Sequence, residues 1–189
     1  MTIGNGPSPP GGIPDRPTVT RDGESLAPVI DGVKTKRVVV HLDHRGRVFE
    51  VFNHDTEYWT SPVVHSYVFT VRPGLVKGWG IHEAKEDRYC LIGGEMLVVM
   101  WDDRDGSPTR GLEQAVVLAP EGVRHLTIPR GVWHIDVNVG AGECVVMNHP
   151  TSPYDYERPD RRLLPWDTPQ IPVDLTRYFP IQPNAGRAG

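Results

Sequence analysis

The sequence predicts an all-β protein folded as an antiparallel sandwich or barrel, and three observations carry that expectation. Short β-branched runs recur between residues 36 and 148 with turn signals between them. No amphipathic helical stretch longer than about two turns interrupts them. Glycine and proline, 20 and 19 of the 189 residues, gather at the turns and at the two ends, as a chain of strands and reversals requires.

Taken in order, the chain opens with a leader, residues 1–35, that holds six prolines and six glycines with almost no apolar periodicity; it is expected to be flexible. Strand-like runs follow: KRVVVHL (36–42), RVFEVF (47–52), VVHSYVFTV (63–71), RYCLI and EMLVVMW within 88–101, QAVVLA (114–119), RHLTI (124–128), HIDVNV (134–139) and ECVVMN (143–148). Asp43 to Gly46, Pro73-Gly74, Asp105-Gly106 and Gly140 to Gly142 supply turns, because these residue types accept the backbone angles of a tight reversal. Beyond residue 148, eight prolines between 150 and 183 alternate with Tyr154, Tyr156, Trp166, Tyr178 and Phe179. That many aromatics predict a segment, 149–180, packed on the barrel rather than left in water. Residues 181–189 are expected to be a disordered tail.

The charge balance, 20 basic against 24 acidic residues for a net −4, contains no basic run. Nucleic acid and anionic membranes are therefore not expected partners. Apolar runs such as 96–101 are too short to span a bilayer, and no basic, then apolar, leader opens the chain. A cytoplasmic protein is expected, and Cys90 and Cys144, each among apolar neighbours, read as reduced core thiols.

Two stretches carry the chemistry. PRGVWHIDVN, residues 129–138, fits PxGxxHxxxN, in which a proline-glycine turn delivers His134 onto the start of a strand. GWGIHEAKEDRYCLIGGE, residues 78–95, places His82 four residues before Glu86 and ahead of the Gly93-Gly94 pair. Together they resemble the two halves of the cupin signature, with Gly80 standing where the usual HxH has its first histidine. DHRGRVFEVF (43–52), VKGWGIH (76–82), the 93–109 segment, IPRGVWH (128–134) and PWDTP (165–169) further resemble the dTDP-4-dehydrorhamnose 3,5-epimerase family.

That resemblance implies a cupin jelly-roll barrel, subunits paired as a homodimer by exchanging strands, and a nucleotide-linked 4-keto sugar in the barrel mouth. It implies His82 as catalytic base, His134 as second active-site histidine and Asp167 as the carboxylate that orients the base. Arg45 and Glu50, with Asp43 and Gly46, match the nucleotide-contact motif. Trp79 replaces an arginine that grips the diphosphate, and the family's lysine position falls on Asp87, leaving Arg88 or Lys85 to supply the charge. The place of the tyrosine acid is taken by Met147, Asn148 or His149. Trp79 and Trp133, beside the site histidines, either fill the core or stack on a sugar or base. His41, His44, His54, His65 and His125 show no ligand-like spacing.

Three functions remain open at this point. The first is an epimerase removing a proton beside a ketone, without a cofactor, with Asp167 or Glu86 orienting His82 and with Arg45, Glu50, Trp79, Arg88, Trp133 and His149 as substrate contacts. A second is a metal-dependent cupin in which His82, Glu86 and His134 ligate a divalent ion; Glu86 reads equally as a solvated turn residue. The third is a small-molecule-binding protein without turnover.

Overall fold

The computed structural model describes residues 15–22, 25–53, 58, 59 and 61–178. The first fourteen residues of the expected leader and the whole of the expected 181–189 tail lie outside them. The strands are β1 (Lys34–Arg37), β2 (Val40–Asp43), β3 (Gly46–Phe49), β4 (Tyr67–Val71), β5 (Val76–Ile81), β6 (Asp87–Gly93), β7 (Met96–Asp102), β8 (Glu113–Leu118), β9 (Val123–Ile128), β10 (Val132–Asn138), β11 (Cys144–Asn148) and β12 (Arg162–Leu163). A short 3-10 turn, Leu175–Arg177, is the one helical element among the described residues. The chain thus forms the antiparallel all-β sandwich that the alternating runs predict.

Hydrogen-bonded neighbours run β12-β5-β10-β7-β8, then β9-β6-β11-β4, with β1 added to β9. β8 and β9 meet in parallel at a single pair, Leu118 and Val123, which is the seam where one layer passes into the other. Between the layers lie the inward residues of each strand: Met96, Val98 and Met100 of β7, Tyr89 and Leu91 of β6, Leu126 and Ile128 of β9, and Val146 of β11. Ile30 and Val33, upstream of β1, also enter this core. Burying each large apolar side chain contributes roughly 1.5–3 kcal/mol.

The alternate residues of β5, β7 and β10 form a second core on the outer face: Trp79, Leu97, Val99, Ile135 and Val137. Ile171 and Leu175 cover them, joined by the half-buried Leu164, Trp166 and Val173. The C-terminal segment is tied down by β12, whose Arg162 and Leu163 pair with Ile81 and Gly80 of β5. Strand β5 is absent from the sequence-predicted runs because Gly78 and Gly80 make it read as a loop. Packing accounts for Gly78, where a Cβ would stand 3.1 Å from the Leu164 carbonyl oxygen, whereas a Cβ at Gly80 would make only ordinary contact, 3.4 Å from the Arg161 guanidinium.

β2 and β3 make a hairpin apart from the main sheet. Its turn is held by Asp43, whose carboxylate accepts from the Arg45 backbone N–H at 2.8 Å. Val39, Leu42 and Val48 on or beside it are 74%, 76% and 71% exposed. Cys90 and Cys144 are buried free thiols, each pushed up to about 12 by burial.

Candidate active site

Side chains two residues apart on a strand share a face. Lys85, Asp87 and Tyr89 therefore enter one open end of the barrel from the approach to and start of β6, and His134 and Asp136 enter from β10. With His82 at the end of β5 they line a pocket of about 400 Å³, whose rim carries Tyr67, Lys77, Tyr154, Tyr156 and Arg161. The Pro129–Gly131 turn sets the height of His134. The Gly131 N–H donates to the His82 carbonyl at 2.7 Å, so the two histidine segments are fastened directly to each other. Gly131 has φ +75°, and a Cβ there would lie 2.9 Å from Arg104 Cγ, which makes glycine the residue that fits.

Asp87 joins the two rings. Its Oδ2 lies 3.3 Å from His82 Nε2 and 3.5 Å from His134 Nε2, with the ring centroids 6.0 Å apart. His82 Nδ1 donates to the Asp160 carbonyl, and His134 Nδ1 donates to the Val132 carbonyl at 3.3 Å. The Asp160 carboxylate in turn accepts from the Glu83 and Ala84 N–H groups at 3.0 Å each, so the C-terminal segment holds His82 from behind. The other oxygen of Asp87 accepts from Asn148 Nδ2 at 2.7 Å, and the same amide donates to the Tyr67 hydroxyl at 2.9 Å.

Burial sets most of the electrostatics. It opposes the charge on Asp87, but the hydrogen bond and charge of His82, then His134 and Asn148, bring that carboxyl down to about 2. His134 is pushed by burial down to about 4 and is neutral at pH 7. Asp136 goes the other way, raised by burial and by the charge of Asp87 to about 7, with the Tyr89 hydroxyl donating to it at 3.4 Å.

Of the residues singled out from the sequence, the structure brings His82 and His134 together. Others are placed elsewhere. Asp167 is exposed in a turn closed by Thr168 N–H on the Pro165 carbonyl; Asp87 and Asp160 are the carboxylates beside His82. Glu86 points to the opposite side from Asp87, and its N–H donates to Thr151 Oγ1 at 3.0 Å. Arg88 turns outward for the same reason, donating to the Ser61 carbonyl at 3.0 Å and lying 5.7 Å over the Trp59 ring. Of Arg88 and Lys85, it is Lys85 that lines the pocket, together with Lys77 and Arg161. Trp79 and Trp133 belong to the outer core under the C-terminal segment. His149 contacts Ser66 Oγ at 2.7 Å and faces Trp59 outside the barrel. Arg45 pairs with Asp43 at 2.6 Å and Glu50 accepts from Asn53 at 3.2 Å; neither lines the pocket of its own chain. Lys85, Asp87 and Tyr89 could have been found by carrying the period-2 count of β6 back through the EAKEDRY stretch, and Asp136 by counting two on from His134.

A jelly roll with paired histidines and a buried carboxylate in its mouth is a cupin built for a small-molecule ligand. Residues 28–185 match the dTDP-4-dehydrorhamnose 3,5-epimerase family, and the chain belongs to that family. A probable low-salt glycan biosynthesis epimerase of Haloferax volcanii is 35% identical over 142 residues, covering 74% of this chain and 90% of that protein. The spore coat polysaccharide biosynthesis protein SpsL of Bacillus subtilis is 29% identical over 155 residues, covering 80% and 99%. Among solved structures, a dTDP sugar isomerase of Desulfovibrio desulfuricans superposes with a TM-score of 0.71 at 26% identity, covering 77% of this chain and 91% of that one.

Proposed function

We propose that the protein is an epimerase acting on a nucleoside-diphosphate 4-keto sugar, with His82 accepting the proton from the carbon beside the ketone and Asp87 supporting the charge that His82 then carries. The observation that supports this best is the His82–Asp87 contact at the pocket mouth. Because the Asp160 carbonyl has no proton to give, His82 Nδ1 is the protonated nitrogen, and Nε2 presents its lone pair to the pocket. When the C–H bond breaks, the proton goes to Nε2 and the electron pair moves to the ketone oxygen. The new Nε2–H donates to Asp87, which balances the imidazolium. A general base of this kind contributes about 10²–10⁴-fold.

The enolate oxygen needs a cation or hydrogen-bond donor, which can supply several kcal/mol. Lys85, buried and lining the pocket, meets that need where the family's lysine is missing. Lys77 and Arg161 on the rim suit a diphosphate. A second donor lining the pocket, for which the Tyr154 and Tyr156 hydroxyls are the candidates, protonates the opposite face of the carbon and completes the epimerisation; the proton held by His82 passes to solvent, which reprotonates the tyrosine. In this reading the protein is a homodimer, and the exposed β2–β3 hairpin of one protomer carries Arg45 and Glu50 to the nucleotide in its partner's pocket.

Incubation with a dTDP-linked 4-keto sugar in deuterated water tests the reading. Deuterium is expected at a carbon beside the ketone, and His82→Asn is expected to abolish its uptake. No uptake across a panel of nucleoside-diphosphate 4-keto sugars overturns the proposal and leaves a binding protein without turnover.

A further inference from the structure

The contacts of His82, Asp87 and His134 leave a position that one cation would fill. Backbone carbonyls only accept, so the protons of both rings sit on Nδ1, facing Asp160 and Val132. In the neutral rings both Nε2 atoms then carry lone pairs, and both are turned to Asp87 Oδ2, which is itself an acceptor. Three acceptor atoms thus lie within 4.8 Å of one another with no donor among the three. A proton on Nε2 of His82 satisfies one of the two histidine–aspartate contacts and leaves the other as acceptor against acceptor.

We propose that His82, Asp87 and His134 bind one divalent transition-metal ion of the zinc class, in competition with the proton that the site takes from substrate. Zinc holds imidazole nitrogen and carboxylate oxygen at about 2.0–2.2 Å, so neighbouring ligand atoms of a tetrahedral site stand roughly 3.3–3.6 Å apart. The two histidine–aspartate separations are 3.3 and 3.5 Å. The surroundings fit as well: a metal-binding histidine ordinarily donates its far N–H to a carbonyl or carboxylate, and a ligating carboxylate is itself hydrogen-bonded. Asp160, Val132 and Asn148 fill those places. Two imidazoles with one carboxylate favour zinc, iron, cobalt or nickel over magnesium or calcium, and all three residues line the pocket, from which a further ligand would come. Glu86, the carboxylate that sequence spacing offered for this role, is turned away from it.

The site stands on geometry and does not need the epimerase reading; what rests on that reading is the consequence that a bound ion blocks His82. The full-length protein, stripped with a chelator, is titrated with Zn²⁺ against a chromophoric competitor, and with Co²⁺ while its visible spectrum is recorded. One ion per chain is expected, with a Kd in the micromolar range or tighter and the intense absorption of four-coordinate cobalt. Asp87→Asn and His134→Gln should each weaken binding by about tenfold or more, whereas Glu86→Gln should leave it unchanged. Failure to bind, or binding unaltered by either ligand substitution, overturns the site. Deuterium uptake by the metal-free protein is read separately, so loss of the metal site and loss of the epimerase reading are distinct outcomes. If uptake persists at saturating Zn²⁺, the competition between ion and proton is overturned.

Discussion

Burial alone would raise the carboxyl of Asp87, yet His82, His134 and Asn148 hold it at about 2, so its negative charge is constant across the working pH range. In the proposed reaction, that charge is what balances the imidazolium formed at His82. Asp87→Asn keeps the shape and removes the charge, and kcat is expected to fall by about 10²–10⁴-fold with KM little changed. The acid limb of kcat/KM should also move, which a purely structural defect would not cause; an unaltered profile would deny Asp87 its positioning role. His82 and His134 could be read from the sequence because each sits in a fixed motif. Asp87 sits in no such motif: its position matches a family lysine, only the strand's alternation points to it, and its worth depends on two rings brought in from β5 and β10. Asp160 was equally hidden: its contribution to His82 is a backbone carbonyl, and any residue type has one.

At the scale of single elements, strand alternation decides which neighbours act and which do not. On β6 it sends Asp87 and Tyr89 into the pocket and Arg88 out to Trp59, a separation visible in the sequence once the strand's phase is known. The phase was the missing piece, because β5 is masked by its two glycines and the pairings that fix β6 are long-range. On β9, alternation places His125 outside the barrel against Trp59, the two rings stacked at 5.1 Å and 13°. Burial, followed by the charge of Lys36, pushes His125 down to about 4. The unfolded chain takes up this proton near 6.5 and the folded chain resists until about 4. The stabilisation is therefore whole above pH 6.5 and is lost as the pH falls towards 4, up to about 3 kcal/mol. His125→Phe keeps a flat ring on Trp59 and removes that share of the slope. Denaturant midpoints of the two proteins at pH 7 and pH 4.5 should diverge accordingly; equal slopes would show that His125 does not carry the effect.

Across the whole molecule, the barrel and its covering layer account for every motif but one. The DHRGRVFE stretch resembles a nucleotide-contact motif, yet the hairpin that carries it leaves Arg45 and Glu50 away from the pocket of their own chain. The hairpin also exposes Val39, Leu42 and Val48, an apolar surface that pairing of two copies would cover. The proposed two-fold assembly would resolve both facts, because an isologous contact would give each pocket its partner's hairpin. Light scattering at micromolar concentration should return twice the 21.1 kDa chain mass. Leu42→Asp combined with Val48→Asp should shift it towards the monomer. Sharing of sites makes a sharper demand. Homodimers of His82→Asn lack the base, and homodimers of Glu50→Lys lack the nucleotide contact, so each should be inactive alone. Mixed in equal amounts and allowed to exchange, half of the dimers are hybrids, and each hybrid pairs one intact pocket with one intact hairpin. Activity should recover to about a quarter of the parent's. If the hairpin instead served its own chain's pocket, each hybrid would hold two defective sites, and mixing would restore nothing.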